Sequence, residues 1–282
     1  MRWAARLLRG GRTRVHLMSG VAAVAVFATL SLVPATSGAA GDTLRGLRAA
    51  LRPVHTEVTS SGQSFSGATA VGALFLESSG KLGQHFCTAS VVHSPHGDLA
   101  ITAAHCVTGV SSQIAFVPGY ANGAEPYGVW QVTRVYTDQA WQSSQDPDDD
   151  VAFLQLSGTA GAADEAIETV TGAEQVGTDT PGQGPASTLV RVIGYPDGAN
   201  QPVWCVNWAK FFSPTQLEFD CGGYTNGTSG GPFLADATSS GQGTVIGVIG
   251  GYEQGGDTPQ VSYSPEFGPA VAVLYQSAEA SS

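Results

Sequence analysis

Three residue types that together perform nucleophilic catalysis occur in this chain in distinctive local contexts. A serine hydroxyl is a weak nucleophile until a base removes its proton, and that base must itself be oriented by an acid. Ser229, His105 and Asp150 are the candidates for these three roles. In the sequence they follow one another in the order base, acid, nucleophile.

The candidate nucleophile, Ser229, lies in the segment Gly-Thr-Ser-Gly-Gly-Pro at residues 227–232. Gly227 allows the backbone to bend so that its own N–H and the N–H of Ser229 can point at one oxygen. This pair of donors is a candidate oxyanion hole. A surface turn rich in glycine and serine would have the same composition, so the segment alone does not decide between these interpretations.

The candidate base, His105, follows the mostly apolar residues 101–104 and directly precedes Cys106. A strand that ends at a histidine, with a neighbouring cysteine to tether it, is a way of positioning a base. The candidate acid, Asp150, stands directly before the apolar run 151–156, so it can reach inward from the mouth of a buried strand.

Other acidic residues crowd the loop that carries Asp150. They are Asp146, Asp148 and Asp149, and only Asp150 adjoins the strand. We interpret the other three as a solvated acidic loop, with a calcium site as the alternative, because clustered carboxylates are what calcium prefers.

The first 40 residues have the order of a secretory signal. Five arginines lead, an apolar run follows at Val21–Val33, and small residues follow at Ala35–Ala40. An apolar run of this length is too short to span a bilayer as a helix. We therefore predict a signal peptide at residues 1–40, a secreted protein, and no membrane association after the signal is removed. Residues 41–65 are polar and irregular, which is typical of a pro-segment or a disordered lead.

Without the signal, seven basic residues face 23 acidic ones, a net charge of −16. A surface of this charge repels nucleic acid and favours solubility. The four cysteines of an exported chain predict two disulfides. Three pairings are possible, and proximity in the sequence favours Cys87–Cys106 and Cys205–Cys221. No Cys-x-x-Cys pair is present to suggest a zinc site.

The remaining sequence consists of short β-prone runs separated by turn residues, with 37 glycines and 15 prolines in the whole chain. About six runs lie on either side of a linker-like stretch at Ser157–Asp164. This pattern suits two packed antiparallel barrels, residues 66–160 and 161–282, although periodicity alone fits a sandwich as well.

Three segments, taken in order, resemble the active-site motifs of the chymotrypsin/trypsin-like serine proteases, in particular the secreted bacterial branch. They are Thr-Ala-Ala-His-Cys at 102–106, Asp-Val-Ala-Phe-Leu at 150–154 and the segment 227–232. The similarity covers about residues 68–276. It also includes the spacing from His105 to Asp150 and the Cys87–Cys106 pair.

The resemblance implies an all-β fold of two packed six-stranded antiparallel β-barrels with a short C-terminal helix. It implies that a monomer hydrolyses peptide bonds in proteins or peptides through an acyl-enzyme, with no metal or organic cofactor. His105, Asp150 and Ser229 would be the triad, and Gly227 and Ser229 would form the oxyanion hole.

The sequence departs from the family pattern in three places. The aspartate that usually precedes the nucleophile is Thr228, and the serine that usually supports the catalytic aspartate is Gly250. The segment expected to floor the specificity pocket, residues 222–224 (Gly-Gly-Tyr), contains no acid, which favours small or apolar substrate side chains. The candidate substrate-binding residues are Gly223, Tyr224, Asn226, Gly250, Gly251 and Tyr252.

Three other functions can be compared with this one. Residues 227–231 also fit the Gly-x-Ser-x-Gly motif of α/β-hydrolases, but that fold places its histidine after the serine, and no histidine follows Ser229. A metal site at His93 and His96 lacks the helical spacing such sites use. A protease-like binding module with weak or no catalysis stays open, because Gly250 replaces the supporting serine.

Overall fold

The computed structural model describes residues 59–110, 113–159, 165–178 and 187–282. The predicted signal, the predicted lead up to residue 58 and residues 160–164 of the predicted linker lie outside this part. Within the described residues, no helix combines the length and hydropathy needed to cross a membrane.

Strands dominate the described residues, and the few helices are short. The strands are β1 (Gln63–Ser64), β2 (Val71–Ser78), β3 (Lys81–Val92), β4 (Leu99–Thr102), β5 (Gln113–Pro118), β6 (Trp130–Thr137), β7 (Ala152–Gly158), β8 (Gln175–Val176), β9 (Ser187–Gly194), β10 (Val203–Ser213), β11 (Gln216–Asp220), β12 (Pro232–Ala235), β13 (Thr244–Val248) and β14 (Val261–Pro265). The α-helices are α1 (Gln139–Ser144), α2 (Ile167–Thr171) and α3 (Pro269–Ser281).

The first barrel is closed and consists of six strands in the order β2-β3-β4-β7-β6-β5. All of its pairs are antiparallel. Strand β4 is buried along its whole length; its first three residues are apolar, and the hydroxyl of its last residue, Thr102, donates to the Thr88 carbonyl. The loop after β4 and the turn before β7 emerge side by side because these strands are neighbours, and these segments carry His105 and Asp150.

The second sheet follows the path β14-β11-β10-β9-β12-β13-β8, with β1 added on β10. Val248 N–H donates to Ser264 Oγ (2.9 Å), and Gly250 N–H donates to the Tyr263 carbonyl (3.0 Å). These bonds bring the end of β13 beside β14, so the sheet curls round on itself. The predicted all-β fold of two packed antiparallel barrels is confirmed. Two details differ from the prediction: the second sheet contains eight strands instead of six, and β8 pairs with β13 in parallel.

The predicted short C-terminal helix is also confirmed, as α3. Val271, Leu274 and Ala278 lie on one face of this helix and are buried. Tyr275 of the same helix stacks on Phe153 of β7, with 5.2 Å between the ring centroids. The helix therefore covers one side of the first barrel.

Both predicted disulfides are present. Cys87–Cys106 joins β3 to the turn that carries His105, and Cys205–Cys221 joins β10 to the end of β11. Each bond closes a short loop, which limits the conformations of the unfolded chain and so stabilises the fold.

Residues 59–65, at the end of the predicted pro-segment or disordered lead, pair with the second sheet. Strand β1 pairs with Val203 and Trp204 of β10. Thr59 N–H donates to the Val206 carbonyl (2.7 Å), and Gly62 N–H donates to the Gly222 carbonyl (2.6 Å). The segment is too short and too polar to show strand periodicity in the sequence.

Candidate active site

His105 lies in a single 3₁₀ turn, Ala104–Cys106, directly after β4. The disulfide from Cys106 fixes this turn to β3. The imidazole is mostly covered, with 14% of the side chain exposed. The turn therefore presents one edge of the ring to solvent and holds the other edge inside the protein.

The inner edge of the imidazole meets Asp150, which is completely buried. Asp150 Oδ1 accepts the backbone N–H of His105 (2.8 Å), and Oδ2 lies 2.7 Å from His105 Nδ1. Oδ2 also accepts the N–H of Gly251 (2.9 Å). An ionised carboxylate only accepts hydrogen bonds, so a neutral imidazole in this position carries its proton on Nδ1 and leaves Nε2 as the acceptor.

The neighbouring acidic residues of this loop make contacts other than with His105. Asp146 Oδ1 accepts the N–H of Asp148 and so caps the turn that precedes Asp150. Asp148 Oδ1 accepts from the side chain of Gln216 (2.7 Å). Partial burial, followed by the charges of Asp138 and the other loop acids, raises the pKa of Asp149. Among these acids, only Asp150 contacts His105.

Metal-ligand side chains converge at one place in the described part of the chain, at Cys87, His105 and Cys106. Both cysteines form the disulfide, so neither offers the thiolate that zinc binds. His93, part of the alternative metal site, instead places its Nδ1 2.7 Å from Glu168 Oε1.

Ser229 lines the same cleft as His105, and this cleft has a volume of about 600 Å³. Ser229 Oγ makes no hydrogen bond within the described part of the chain. In unliganded sites of this kind, the nucleophile and base often come within hydrogen-bonding distance only when substrate binds.

The backbone next to Ser229 presents two free donors. Among the described residues, the N–H groups of Gly227 and Ser229 have no acceptor. The Asn226 carbonyl accepts the N–H of Asp197 (2.5 Å), which fixes the Asn226–Gly227 peptide. Because the C=O and N–H of a trans peptide point in opposite directions, this anchor turns the Gly227 N–H away from Asp197.

Gly227 adopts a φ of 89°, and a Cβ there would lie 2.6 Å from the Tyr195 carbonyl oxygen. Only glycine fits this bend. Strand β3 also supports it, because Thr88 Oγ1 donates to the Gly227 carbonyl (3.0 Å) and Thr88 N–H to the Ser229 carbonyl (2.7 Å). The sequence did not single out Thr88, since its role depends on contact between the two barrels.

Thr228, which replaces the usual aspartate, forms its bonds within its own loop. Its hydroxyl donates to the Thr225 carbonyl (2.7 Å), and its N–H donates to the same oxygen (3.2 Å). The side chain is buried without a charge that needs a partner. The loop around the serine is thus held by neutral hydrogen bonds.

Gly250, which replaces the usual supporting serine, lies against Asp150. A Cβ at Gly250 would lie 2.9 Å from Asp150 Oδ2, closer than side chains normally approach. The N–H of the following residue, Gly251, donates to that oxygen instead. The backbone N–H of Gly251 therefore supplies the hydrogen bond to Asp150 that a serine side chain at position 250 would otherwise donate.

The candidate substrate-binding residues divide into two groups. Tyr224 and Asn226 line the cleft, although Tyr224 is buried and its hydroxyl donates to the Val192 carbonyl (2.8 Å). Burial raises the pKa of Tyr224. The others lie beside the cleft: Gly223 N–H donates to the Pro259 carbonyl, Gly250 and Gly251 contact Asp150, and Tyr252 N–H donates to Gln216.

The cleft also contains acidic residues that the sequence did not identify. Asp197, Glu253 and Asp257 line it, and the described residues of its lining include no lysine or arginine. Glu253 and its neighbour Gln254 have φ values of 52° and 53°, a left-handed conformation that is costly for residues other than glycine. No sequence motif marks this loop, because the backbone conformation that brings it to the cleft cannot be recognised from its residue types.

Comparison with known proteins places the chain in a family. The trypsin family profile matches residues 62–266. Trypsin theta of Drosophila erecta is 29% identical over 130 residues, which are 46% of this chain and 45% of that protein. The chain thus matches less than half the length of this relative.

Two solved structures share the fold. Protease Anisep of Arthrobacter nicotinovorans is 24% identical with a TM-score of 0.65, covering 78% of this chain and 99% of that one. A human heparin binding protein is 14% identical with a TM-score of 0.57, covering 77% and 94%. Because the family profile extends over most of its length, this chain belongs to the trypsin family.

Proposed function

We propose that this protein is a secreted serine endopeptidase that hydrolyses peptide bonds through an acyl-enzyme on Ser229. One observation carries the proposal. The cleft that contains Ser229 also contains an imidazole whose Nδ1 is bound to a buried carboxylate, and two unpaired backbone N–H groups adjoin the serine. These are the parts that acyl transfer requires.

In the proposed mechanism, His105 Nε2 removes the proton of Ser229 Oγ as this oxygen attacks a peptide carbonyl. Asp150 keeps the proton on Nδ1 and stabilises the imidazolium that forms. The N–H groups of Gly227 and Ser229 bind the oxyanion. His105 then returns the proton to the leaving amine, and water repeats the cycle on the acyl-enzyme.

Secretion as a monomer is part of the proposal. The predicted signal at residues 1–40 supports the secretion, and so do the two disulfides, which persist in oxidising compartments. The acidic composition favours solubility and disfavours binding to nucleic acid or anionic membranes. The expected substrates are proteins and peptides.

A protease-like binding module is the second candidate, since a heparin binding protein has the same fold. Two observations favour the enzyme. The net charge of −16 without the signal opposes binding to a polyanion such as heparin. The absence of a third donor to Asp150 would favour an inactive relative, but the Gly251 N–H supplies that donor.

The experiment compares residues 41–282 with the Ser229→Ala variant, both expressed in an oxidising compartment. Each is incubated with a denatured protein mixture, and new peptide termini are mapped by mass spectrometry. We expect cleavage by the wild type alone. A folded wild type that cleaves no more than Ser229→Ala, tested with residues 41–58 both present and removed, would refute the proposal.

A further inference from the structure

We propose that Gln216 is a positioning residue for Asp150, in a device that replaces the serine side chain absent at Gly250. The inference rests on the proposed function, since it concerns the acid of the proposed triad. It begins from the absence of a serine side chain at Gly250. The third hydrogen bond to Asp150 comes instead from a backbone donor, the N–H of Gly251. A backbone donor is only as well placed as the loop that carries it.

The loop that carries this donor is bound by Gln216, the first residue of β11. Gln216 Oε1 accepts the N–H of Tyr252 (3.0 Å), the residue directly after Gly251. Gly251 has a φ of 75°, and a Cβ there would overlap Gln216 Oε1. Gln216 and Gly251 therefore fit together closely, and only glycine is compatible with the contact.

The other end of the Gln216 amide binds the segment that leads into Asp150. Gln216 Nε2 donates to the Pro147 carbonyl (3.1 Å) and to Asp148 Oδ1 (2.7 Å). Asp150 follows this turn directly. One side chain of the second sheet thus holds both the chain that presents the carboxylate and the loop that donates to it.

The chemistry of the site requires an amide at position 216. Two acceptors face Nε2 and one N–H faces Oε1, so both polar atoms of the amide are hydrogen-bonded. Exchanging the oxygen and the nitrogen would break all of these bonds. The side chain is buried, with 4% of Gln216 exposed. A glutamate of the same shape could accept from Tyr252 but could not donate to Pro147 or Asp148, and it would add a charge close to Asp150.

The test compares Gln216→Leu, which loses all three bonds, with Gln216→Glu, which keeps the shape and only the acceptor. The matched control is Ser264→Ala on the adjacent strand β14. Ser264 is also buried and hydrogen-bonded, to Val248 and Pro265, but among the described residues it makes no hydrogen bond to the turn at 147–149 or to Asp150. Steady-state kinetics on one peptide substrate give kcat and KM for each folded variant.

We expect both Gln216 variants to lower kcat about 10-fold or more with KM changed less than about 2-fold, because the base is misaligned while the cleft is intact. Ser264→Ala should keep the wild-type kcat even where its melting temperature falls. Folded Gln216 variants with kcat equal to that of Ser264→Ala would overturn the proposal.

A second readout does not depend on turnover. The Nδ1 proton of His105, bound to Asp150, should give a far-downfield proton NMR signal in the wild type. Gln216→Leu and Gln216→Glu should shift or broaden this signal, and Ser264→Ala should leave it unchanged. An unchanged signal in both Gln216 variants would refute the positioning role. A wild type with the signal but without protease activity would instead refute the proposed function.

Discussion

Asp150 binds His105 through both carboxylate oxygens, with Oδ1 on the backbone N–H at 2.8 Å and Oδ2 on Nδ1 at 2.7 Å. The first bond fixes where the residue sits, and the second fixes the orientation and tautomer of the ring. Since both contacts belong to one buried side chain, position and tautomer are set together.

Asp150→Asn should therefore lower kcat by about 10⁴-fold while the protein stays folded, because an amide N–H facing Nδ1 moves the imidazole proton to Nε2. Peptide hydrolysis and the melting temperature measured on the same sample check this. Asp146→Asn, in the same turn, keeps its capping oxygen and should retain wild-type rates. Loss of less than about 10-fold in Asp150→Asn would contradict the assigned role.

Thr88→Val should lower kcat about 10-fold, because it removes the hydroxyl that donates to the Gly227 carbonyl and loosens the predicted oxyanion hole. KM should change little. Ser90→Ala on the same strand is the control, since Ser90 Oγ is buried without a hydrogen-bond partner among the described residues and its removal should leave kcat unchanged. Equal kcat values for the two variants would show that Thr88 does not support the site.

The triad candidates could be found from sequence because each lies in a contiguous motif, and the residues of that motif also predict the strand or turn that carries the candidate. His105 follows the apolar end of β4, and Asp150 precedes β7. The disulfides followed from proximity in the chain. These features are local, so a single stretch of residues is enough to predict them.

Contacts between distant segments could not be predicted in this way. Thr88 and Gly227 are 139 residues apart, and Gln216 and Asp148 are 68 apart. Strand β1 is recognisable only by the backbone bonds it makes to β10. In each case the residue type is ordinary, and its role comes from the partner that the fold brings to it.

Glu174 should make the stability of the protein depend on pH. Its carboxyl group is fully buried; Oε2 accepts the Gly243 N–H, and Oε1 has no partner among the described residues. Burial raises the pKa of Glu174 from 4.5 to about 8, a rise that the Gly243 N–H only partly opposes. The folded protein therefore keeps a proton that the unfolded chain releases.

The free energy of unfolding should then fall as pH rises from about 4.5 to about 8, by at most about 5 kcal/mol from this group. Below that window both states are protonated, and above it both are ionised. Glu174→Gln should remove this component, so the difference between variant and wild type in urea unfolding should grow with pH. Parallel pH profiles would contradict the prediction.

Residues 59–65 should be needed for full stability, because they complete one end of β10 and bond to Gly222. A chain that begins at Thr59 should melt several degrees, about 5 °C, above one that begins at Ser66. The comparison uses differential scanning calorimetry on chains with both disulfides formed. Equal melting temperatures would show that the segment contributes nothing to the folded state.

The acidic lining of the cleft should make substrates with basic side chains near the cleaved bond better than those with acidic ones. This differs from the small or apolar preference expected from residues 222–224, because Glu253 and Asp257 reach the cleft from another loop. Carboxylates attract cationic side chains and repel anionic ones, and salt screens both effects.

Matched peptides with Arg or Glu at the same position should differ in kcat/KM by about 10-fold at low salt, and by less at about 1 M salt. The double variant Glu253→Gln/Asp257→Asn should reduce this ratio. Asp236→Asn removes a charge at a residue outside the lining of the cleft, where a φ of 51° suits asparagine, and should leave the ratio unchanged. If the Arg and Glu peptides have nearly equal kcat/KM in the wild type, these carboxylates do not select the substrate. The same conclusion would follow if the wild type, the double variant and Asp236→Asn all gave the same ratio.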